Sequence, residues 1–238
     1  MTVSKGLAGK VLSGRVYPEV FPLADTDRVV NVGCGGGPQA VVYKGRYSRM
    51  VGLDINLGRL QGSRADLKAY GLGREYHTVC ADVERVPLTD GTFDKALAID
   101  IIEHVQHPET LCAETFRLLR PGGLLLITFP LQHDRFKTAV SALARVLLRR
   151  VKRPVSTAWD PDAHNSAHGF AKWTAIIESA GFTLVRWRAS TLFPPLHLYG
   201  VPRFWFSSDT IHRIDAALCR VSGVRRLGQT AVVVYARP

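Results

Sequence analysis

The sequence predicts a doubly wound α/β fold built on a mainly parallel sheet. Two observations carry the prediction. First, Val29-Val30-Asn31-Val32 is a short, mostly apolar run that stops on Gly33-Cys34-Gly35-Gly36-Gly37, so a buried strand ends in a glycine loop. Second, the next strand-like run, Met50-Val51-Gly52-Leu53, ends on Asp54. A glycine-rich turn after one strand and a carboxylate after the next, about 20 residues on, is the layout of a nucleoside-binding α/β sheet.

The remaining elements follow in order. Residues 1–27 read as a short helix and a loop lying near the active site. Val29–Val32, Met50–Asp54, Glu75–Cys80, Phe93–Ile99 and Leu124–Phe129 read as five mainly apolar parallel strands. Between them Leu57–Tyr70 and Glu109–Leu119 have helical spacing, and Arg120-Pro121-Gly122-Gly123 stops the second of these sharply. Ala171–Ala180 is helical and ends at Gly181, and Phe182–Ala189 and Thr230–Ala236 read as two closing strands. One domain spans residues 1–238, with a core at 28–130, a helical insertion at 131–169 and an aromatic and proline-rich insertion at 190–228 that reads as a small cap, as the wall of an apolar acceptor pocket or as a dimer contact. In the first insertion Phe136, Val140, Leu143, Leu147 and Val151 recur at spacings of three or four. Arg135, Lys137, Arg145, Arg149, Arg150, Lys152 and Arg153 accompany them. This is a basic amphipathic helix, read either as a lid helix, as a contact for an anionic membrane surface over 136–153, or as a nucleic-acid contact.

Composition narrows the class. The 238 residues can bury a full core in one domain, and 46% are hydrophobic. Cys34, Cys80, Cys112 and Cys219 lack C-x-x-C spacing, which argues against a zinc site or a disulfide framework and fits a reducing cytoplasm. No uninterrupted apolar stretch is long enough to span a bilayer and no apolar leader follows Lys5 and Lys10, so a cytoplasmic protein, peripheral to a membrane at most, is expected. The net charge of +11 favours anionic partners, or reflects only a solvated basic surface.

The glycine loop separates the cofactor classes. A dinucleotide fingerprint needs glycine at its sixth place, which is Pro38 here; proline there can open a helix, but the G-x-G-x-x-G match fails. Gly33, Gly35 and Gly37 satisfy G-x-G-x-G instead. Further segments follow in order: Cys80-Ala81-Asp82-Val83, Phe93–Asp100, Ile101-Ile102-Glu103-His104-Val105 with Pro108-Glu109, and Leu118-Leu119-Arg120-Pro121-Gly122-Gly123. Over residues 28–130 the chain resembles the class I S-adenosylmethionine-dependent methyltransferases, in their small-molecule (type 11) branch. The resemblance implies a Rossmann-like seven-stranded sheet whose last strand is antiparallel to the rest. It also implies S-adenosylmethionine as cofactor, held by Gly33, Cys34, Gly35, Gly37, Asp54, Ile55, Asp82, Val83 and Asp100. Amides of the loop would hold the methionine carboxylate, Asp54 the ribose hydroxyls and Asp82 the adenine amino group, with Val83 against the ring. Helix N-caps are the competing explanation for both aspartates.

Methyl transfer asks the protein to position an acceptor and remove its proton. His104, His133 and His168 are the candidate acceptor-side residues, with His164 close to the last. Asp100, Glu103 and His104 stand at i, i+3 and i+4, which on a helical turn places them on one face. The ubiquinone-pathway O-methyltransferases are similar there and use Glu-x-x-Glu-His for a divalent metal; the resemblance implies that, completed by His164 or His168, the set would suit Mg²⁺ or Mn²⁺, although no metal ligand is assigned. The expected activity is methylation of a small-molecule or lipid-like acceptor, at oxygen. The alternatives are an RNA methyltransferase and a non-catalytic cofactor-binding subunit. The Asn/Asp-Pro-Pro-Tyr/Phe motif of amino-group methylation is absent, since Ile99-Asp100-Ile101-Ile102 occupies its place.

Overall fold

The computed structural model describes residues 17–131, 168–190, 217–221, 223, 224, 228 and 230–238. Its elements are β1 (Arg28–Val32), α1 (Pro38–Val42), β2 (Arg49–Asp54), α2 (Leu57–Ala69), β3 (Tyr76–Cys80), β4 (Phe93–Ala98), α3 (Pro108–Leu118), β5 (Leu119–Pro130), α4 (Phe170–Ser179), β6 (Thr183–Ala189) and β7 (Thr230–Ala236). They form a seven-stranded sheet in the order β3-β2-β1-β4-β5-β7-β6. The pairs β1–β2, β2–β3, β1–β4 and β4–β5 are parallel, and β7 runs antiparallel to both β5 and β6. Strand order reverses between β1 and β4, so the carboxyl ends of these two strands diverge into a crevice where doubly wound sheets bind ligands.

Both faces of the sheet are covered, which is why the central strands are almost wholly apolar. On one face Val30, Val32, Ala96, Ala98, Leu125, Ile127 and Val233 pack with Leu111, Cys112 and Leu118 of α3 and Trp173 and Ile177 of α4. On the other, the alternate residues Val29, Leu97, Leu126, Val232 and Val234 pack with Ala40 of α1, Leu67 of α2, and Tyr17, Phe21 and Leu23. The apolar stripes of α3 and α4 explain their docking: Leu111, Thr115 and Leu118, and Trp173 and Ile177, recur at helical spacing and are buried. Trp173 has no exposed surface, and burying a side chain of this size stabilises by about 2–3 kcal/mol. Burial of the Cys112 thiol in the same layer pushes its pKa up to about 12 and leaves it an inert packing group.

One expectation is corrected. Leu119 does not end α3: its backbone is extended, it pairs with Phe93, and β5 begins there. The Arg120–Gly123 segment lies within β5, where the β4–β5 register shifts between Phe93 and Lys95. Arg120 bonds Asp94, and the Gly122 amide donates to Arg237 O at 2.8 Å, so sheet contacts outweigh the turn chemistry. At the amino end, residues 17–20 form a turn, anchored where Tyr43 Oη donates to Phe21 O at 2.8 Å, and the helix expected within 1–27 is not tested by it. Residues 1–16, the basic helix expected at 136–151 and most of the 190–228 insertion lie outside the described residues.

The loop joining β3 to β4 is fixed to α3 by one polar network. Arg117 donates to Leu88 O, Val86 O, Glu114 and Asp90, while Glu114 Oε2 accepts the Val86 amide at 2.8 Å. Bonds from Arg117, then the Val86 amide, hold the Glu114 carboxyl below its ordinary value of 4.5. A depressed carboxyl pKa stabilises the folded state above the unfolded value, and that contribution is lost as pH falls through the folded value. Glu114→Gln is therefore expected to lower stability by about 1–2 kcal/mol at neutral pH, with the difference from wild type shrinking as pH falls below 4.5. Denaturant melts of both proteins across that range check it; a pH-independent difference refutes the assignment.

Candidate active site

The crevice is built from the carboxyl ends of β1, β2, β3 and β4. After β1 the chain turns through Gly33, Gly35 and Gly37, whose φ angles are +68°, +53° and +70°. These left-handed values favour glycine, and the surroundings demand it as well. A Cβ on Gly33 would lie 2.5 Å from Ile101 Cγ1, and one on Gly37 would lie 2.8 Å from Tyr76 Oη. The loop is thus walled by the segment after β4 on one side and by β3 on the other. The Cys34 amide donates to Leu53 O at 2.8 Å, and its side chain is buried toward Gly52, where a Cβ would be 2.8 Å from Sγ.

Asp54 closes the loop from β2. Its side chain is 8% exposed, Oδ2 accepts the Gly35 amide at 2.8 Å, and Oδ1 accepts the Asn56 amide at 2.9 Å. Each carboxylate oxygen keeps a second lone pair. Asn56 in turn caps α2 by accepting the Arg59 amide at 2.9 Å, so the helix N-cap is Asn56 and not Asp54. Ile55, beside Asp54, is 70% exposed at the crevice edge. After β3, Asp82 is exposed and its Oδ1 accepts the Glu84 amide at 2.9 Å, while Val83 is buried in the core on the α3 side.

The segment after β4 is the least ordinary. Asp100 has φ +52°, the one non-glycine residue with positive φ among the described residues. Its amide donates to Thr128 Oγ1 at 2.9 Å, and Thr128 Oγ1 donates to Asp100 Oδ1 at 3.0 Å. The chain then makes a tight turn, with the His104 amide donating to Ile101 O at 2.9 Å. The helical turn expected to carry Asp100, Glu103 and His104 on one face is therefore absent, because left-handed backbone at Asp100 cannot continue a right-handed helix. Glu103 is buried and His104 half-buried. Among the described residues no three His, Cys, Asp or Glu side chains converge as a metal site would require. His168 is half-buried, with its ring 4.8 Å from that of Trp173, which itself packs on Phe129 near the end of β5. His133 and His164 lie outside the described residues.

Three residues at this site were not anticipated. Tyr76 walls the glycine loop, Thr128 holds Asp100, and Glu84 Oε1 accepts the amides of Gln106 and His107 at 2.9 and 3.0 Å, tying the loop after β3 to the loop after β4. Thr128 alone had a sequence signal: it is the one polar residue in Leu124–Phe129, and a buried hydroxyl requires a partner. The other two act across the fold with no local pattern.

Comparison with known proteins agrees with this geometry. Residues 30–127 match the family model described as a methyltransferase domain. The chain is similar to 24-methylenesterol C-methyltransferase 2 of Oryza sativa subsp. japonica, 35% identical over 98 residues, which are 41% of this chain and 27% of that protein. It is also similar to the ubiquinone biosynthesis O-methyltransferase of Thiobacillus denitrificans (strain ATCC 25259 / T1), 33% identical over 102 residues and 43% of each chain. The chain thus spans less than half the length of these curated relatives. Among solved structures, a geranyl diphosphate methyltransferase in complex with S-adenosylmethionine superposes with a TM-score of 0.61 at 15% identity, covering 97% of this chain and 85% of that one. The matched segment runs from β1 into β5 and contains every strand end that lines the crevice, so the part of the chain that builds the crevice is the part similar to a methyltransferase domain.

Proposed function

We propose that this chain is a methyltransferase that binds S-adenosylmethionine in the crevice and methylates a small-molecule or lipid-like acceptor at oxygen. The observation that carries the reading is the lock between Asp54 and the Gly35 amide at the point where strand order reverses. It leaves a buried carboxylate with one lone pair on each oxygen, a match for the two adjacent ribose hydroxyls of a nucleoside. Ile55 presents apolar surface next to that carboxylate, suited to the face of a base, and Asp82 reaches the same rim from β3. Gly33, Cys34, Gly35 and Gly37 shape the loop that would face the methionine portion, and Asp100 and Val83 complete the set we assign to the cofactor. When bound, S-adenosylmethionine supplies a methyl group on a positively charged sulfur, poised for in-line displacement.

The protein's own part is to orient the acceptor, exclude water and take up its proton. His104 is half-buried on the turn after β4 and His168 lies against Trp173 before α4; we assign proton removal to this pair, with His133 as the third candidate. Oxygen as the target atom is favoured by the similarity to the ubiquinone biosynthesis O-methyltransferase, whereas the sterol relative is a C-methyltransferase. A lipid-like acceptor suits both relatives. Asp54, Asp82 and Asp100 stand at or just after the ends of β2, β3 and β4 although the whole chain carries +11, and carboxylates at these strand ends favour a compact acceptor over a polyanion such as RNA at the crevice.

Titration calorimetry with S-adenosylhomocysteine tests the cofactor site. Wild type is expected to bind in the micromolar range, and Asp54→Ala to bind at least about tenfold more weakly, since it removes the acceptor of the Gly35 amide as well as the ribose carboxylate. No binding to wild type would overturn the reading. For the chemistry, His104→Ala and His168→Ala are each to be assayed with phenolic and alkene acceptors. The variant at the true base is expected to lose about 10²–10⁴-fold in kcat with S-adenosylhomocysteine affinity unchanged. Equal activity in both variants removes them from the chemistry, and a carbon-methylated product replaces the oxygen assignment.

A further inference from the structure

The left-handed residue at the end of β4 has a cause and a consequence. Asp100 belongs to the short polar residues that enter the left-handed region more readily than others, but φ +52° still costs it more than it would cost glycine, and surrounding contacts offset that cost. Two of these contacts come from Thr128 on the neighbouring strand β5, which has no exposed surface. Its hydroxyl accepts from the Asp100 amide and donates to the Asp100 carboxylate, so one oxygen grips both ends of the strained residue. Because the backbone turns left at Asp100, the next residue, Ile101, lies across Gly33, close enough that no Cβ would fit there. Ile101 is the wall of the glycine loop, and its placement is set one residue earlier.

We propose that Thr128 is a positioning residue: its paired hydrogen bonds hold Asp100 in the left-handed conformation, which swings Ile101 over Gly33 and fixes the floor of the cofactor crevice. Neither side chain needs to touch a reacting atom for this. The strain sits where the chain passes from structural sheet to functional loop, and it is tolerated because a buried hydroxyl on the adjacent strand satisfies the backbone and side chain together. The effect on cofactor rests on the methyltransferase reading; the effect on backbone strain does not.

The experiment compares wild type, Thr128→Val, Thr128→Ser, Asp100→Gly and the double variant Thr128→Val/Asp100→Gly in thermal melts and in S-adenosylhomocysteine calorimetry. Thr128→Val keeps the shape and removes both bonds, and is expected to weaken binding about tenfold, whereas Thr128→Ser stays within about twofold of wild type. Asp100→Gly removes the strain, and is expected to raise Tm more in the Thr128→Val background than in wild type. Equal Tm effects of Asp100→Gly in the two backgrounds overturn the proposal, as does a Thr128→Val protein that binds like wild type. If Thr128→Val alone does not fold, the double variant decides: folding restored by Asp100→Gly supports the proposal, and folding not restored refutes it. If wild type binds no S-adenosylhomocysteine, the methyltransferase reading fails, while the melting cycle still tests the grip of Thr128 on Asp100 by itself.

Discussion

One hydrogen bond organises the crevice: the Gly35 amide donating to Asp54 Oδ2 at 2.8 Å, in a setting where Asp54 is only 8% exposed. A neutral amide meeting a charged acceptor out of water makes a stronger bond than its exposed counterpart. It joins two strand ends that are adjacent in the sheet but 19 residues apart in the chain. The main-chain bond from Cys34 to Leu53 O, 2.8 Å, lies beside it and sets the distance. Remove the carboxylate and the loop keeps its glycines but loses the strap that selects one of their many conformations. In the proposed reading Asp54 therefore does two things, recognising the ribose and shaping the glycine loop beside it.

The three glycines divide their duties accordingly. A glycine loop is commonly explained by the ligand's need for close approach, yet here two positions are already closed by the protein. Ile101 stands against Gly33 and Tyr76 against Gly37 at distances no Cβ could accept. The loop is held from both sides before any ligand arrives, which reduces the ordering cost of binding. Tyr76 has a second effect: its hydroxyl would lie 2.3 Å from a Cβ on Gly52, so the glycine inside β2 serves the same packing. That glycine weakens a strand on propensity grounds, and is explained by the tyrosine seated above it.

The fold was legible because strands buried on both faces are apolar runs bounded by turn residues, as in Leu124–Phe129 and Thr230–Ala236, where both neighbouring layers exclude water. The start of β5 was not. Helical spacing continues into Leu119, but its pairing with Phe93, 26 positions earlier, captures the residue for the sheet (tertiary pairing outranking local preference). At the site, Gly33, Gly35, Gly37 and Asp54 were legible because their signal is a local turn. Thr128 and Glu84 act on partners 28 and 22–23 positions away, so no window of sequence contains both ends of the bond. Asp100 shows a subtler failure. The spacing of Asp100, Glu103 and His104 fits one face of a helix, but spacing implies a face only where the backbone is helical, and a single left-handed residue breaks that inference.

The same residue links the two halves of the sheet. β1 and β4 are neighbours whose connections leave toward opposite faces, so the chain after β4 must depart sharply from its strand direction to leave the crevice open. A right-handed start there would carry Ile101 away from Gly33; the left-handed one carries it inward. Glu84 then holds the far end of this segment by accepting the Gln106 and His107 amides, immediately before Pro108 opens α3. The segment from Asp100 to His107 is thereby clamped at both ends, by a hydroxyl from β5 and a carboxylate from the loop after β3. His104 rides between the clamps. A proton acceptor for a positioned substrate benefits from such a mounting, because a small misplacement of the accepting nitrogen costs rate without altering the binding of either ligand.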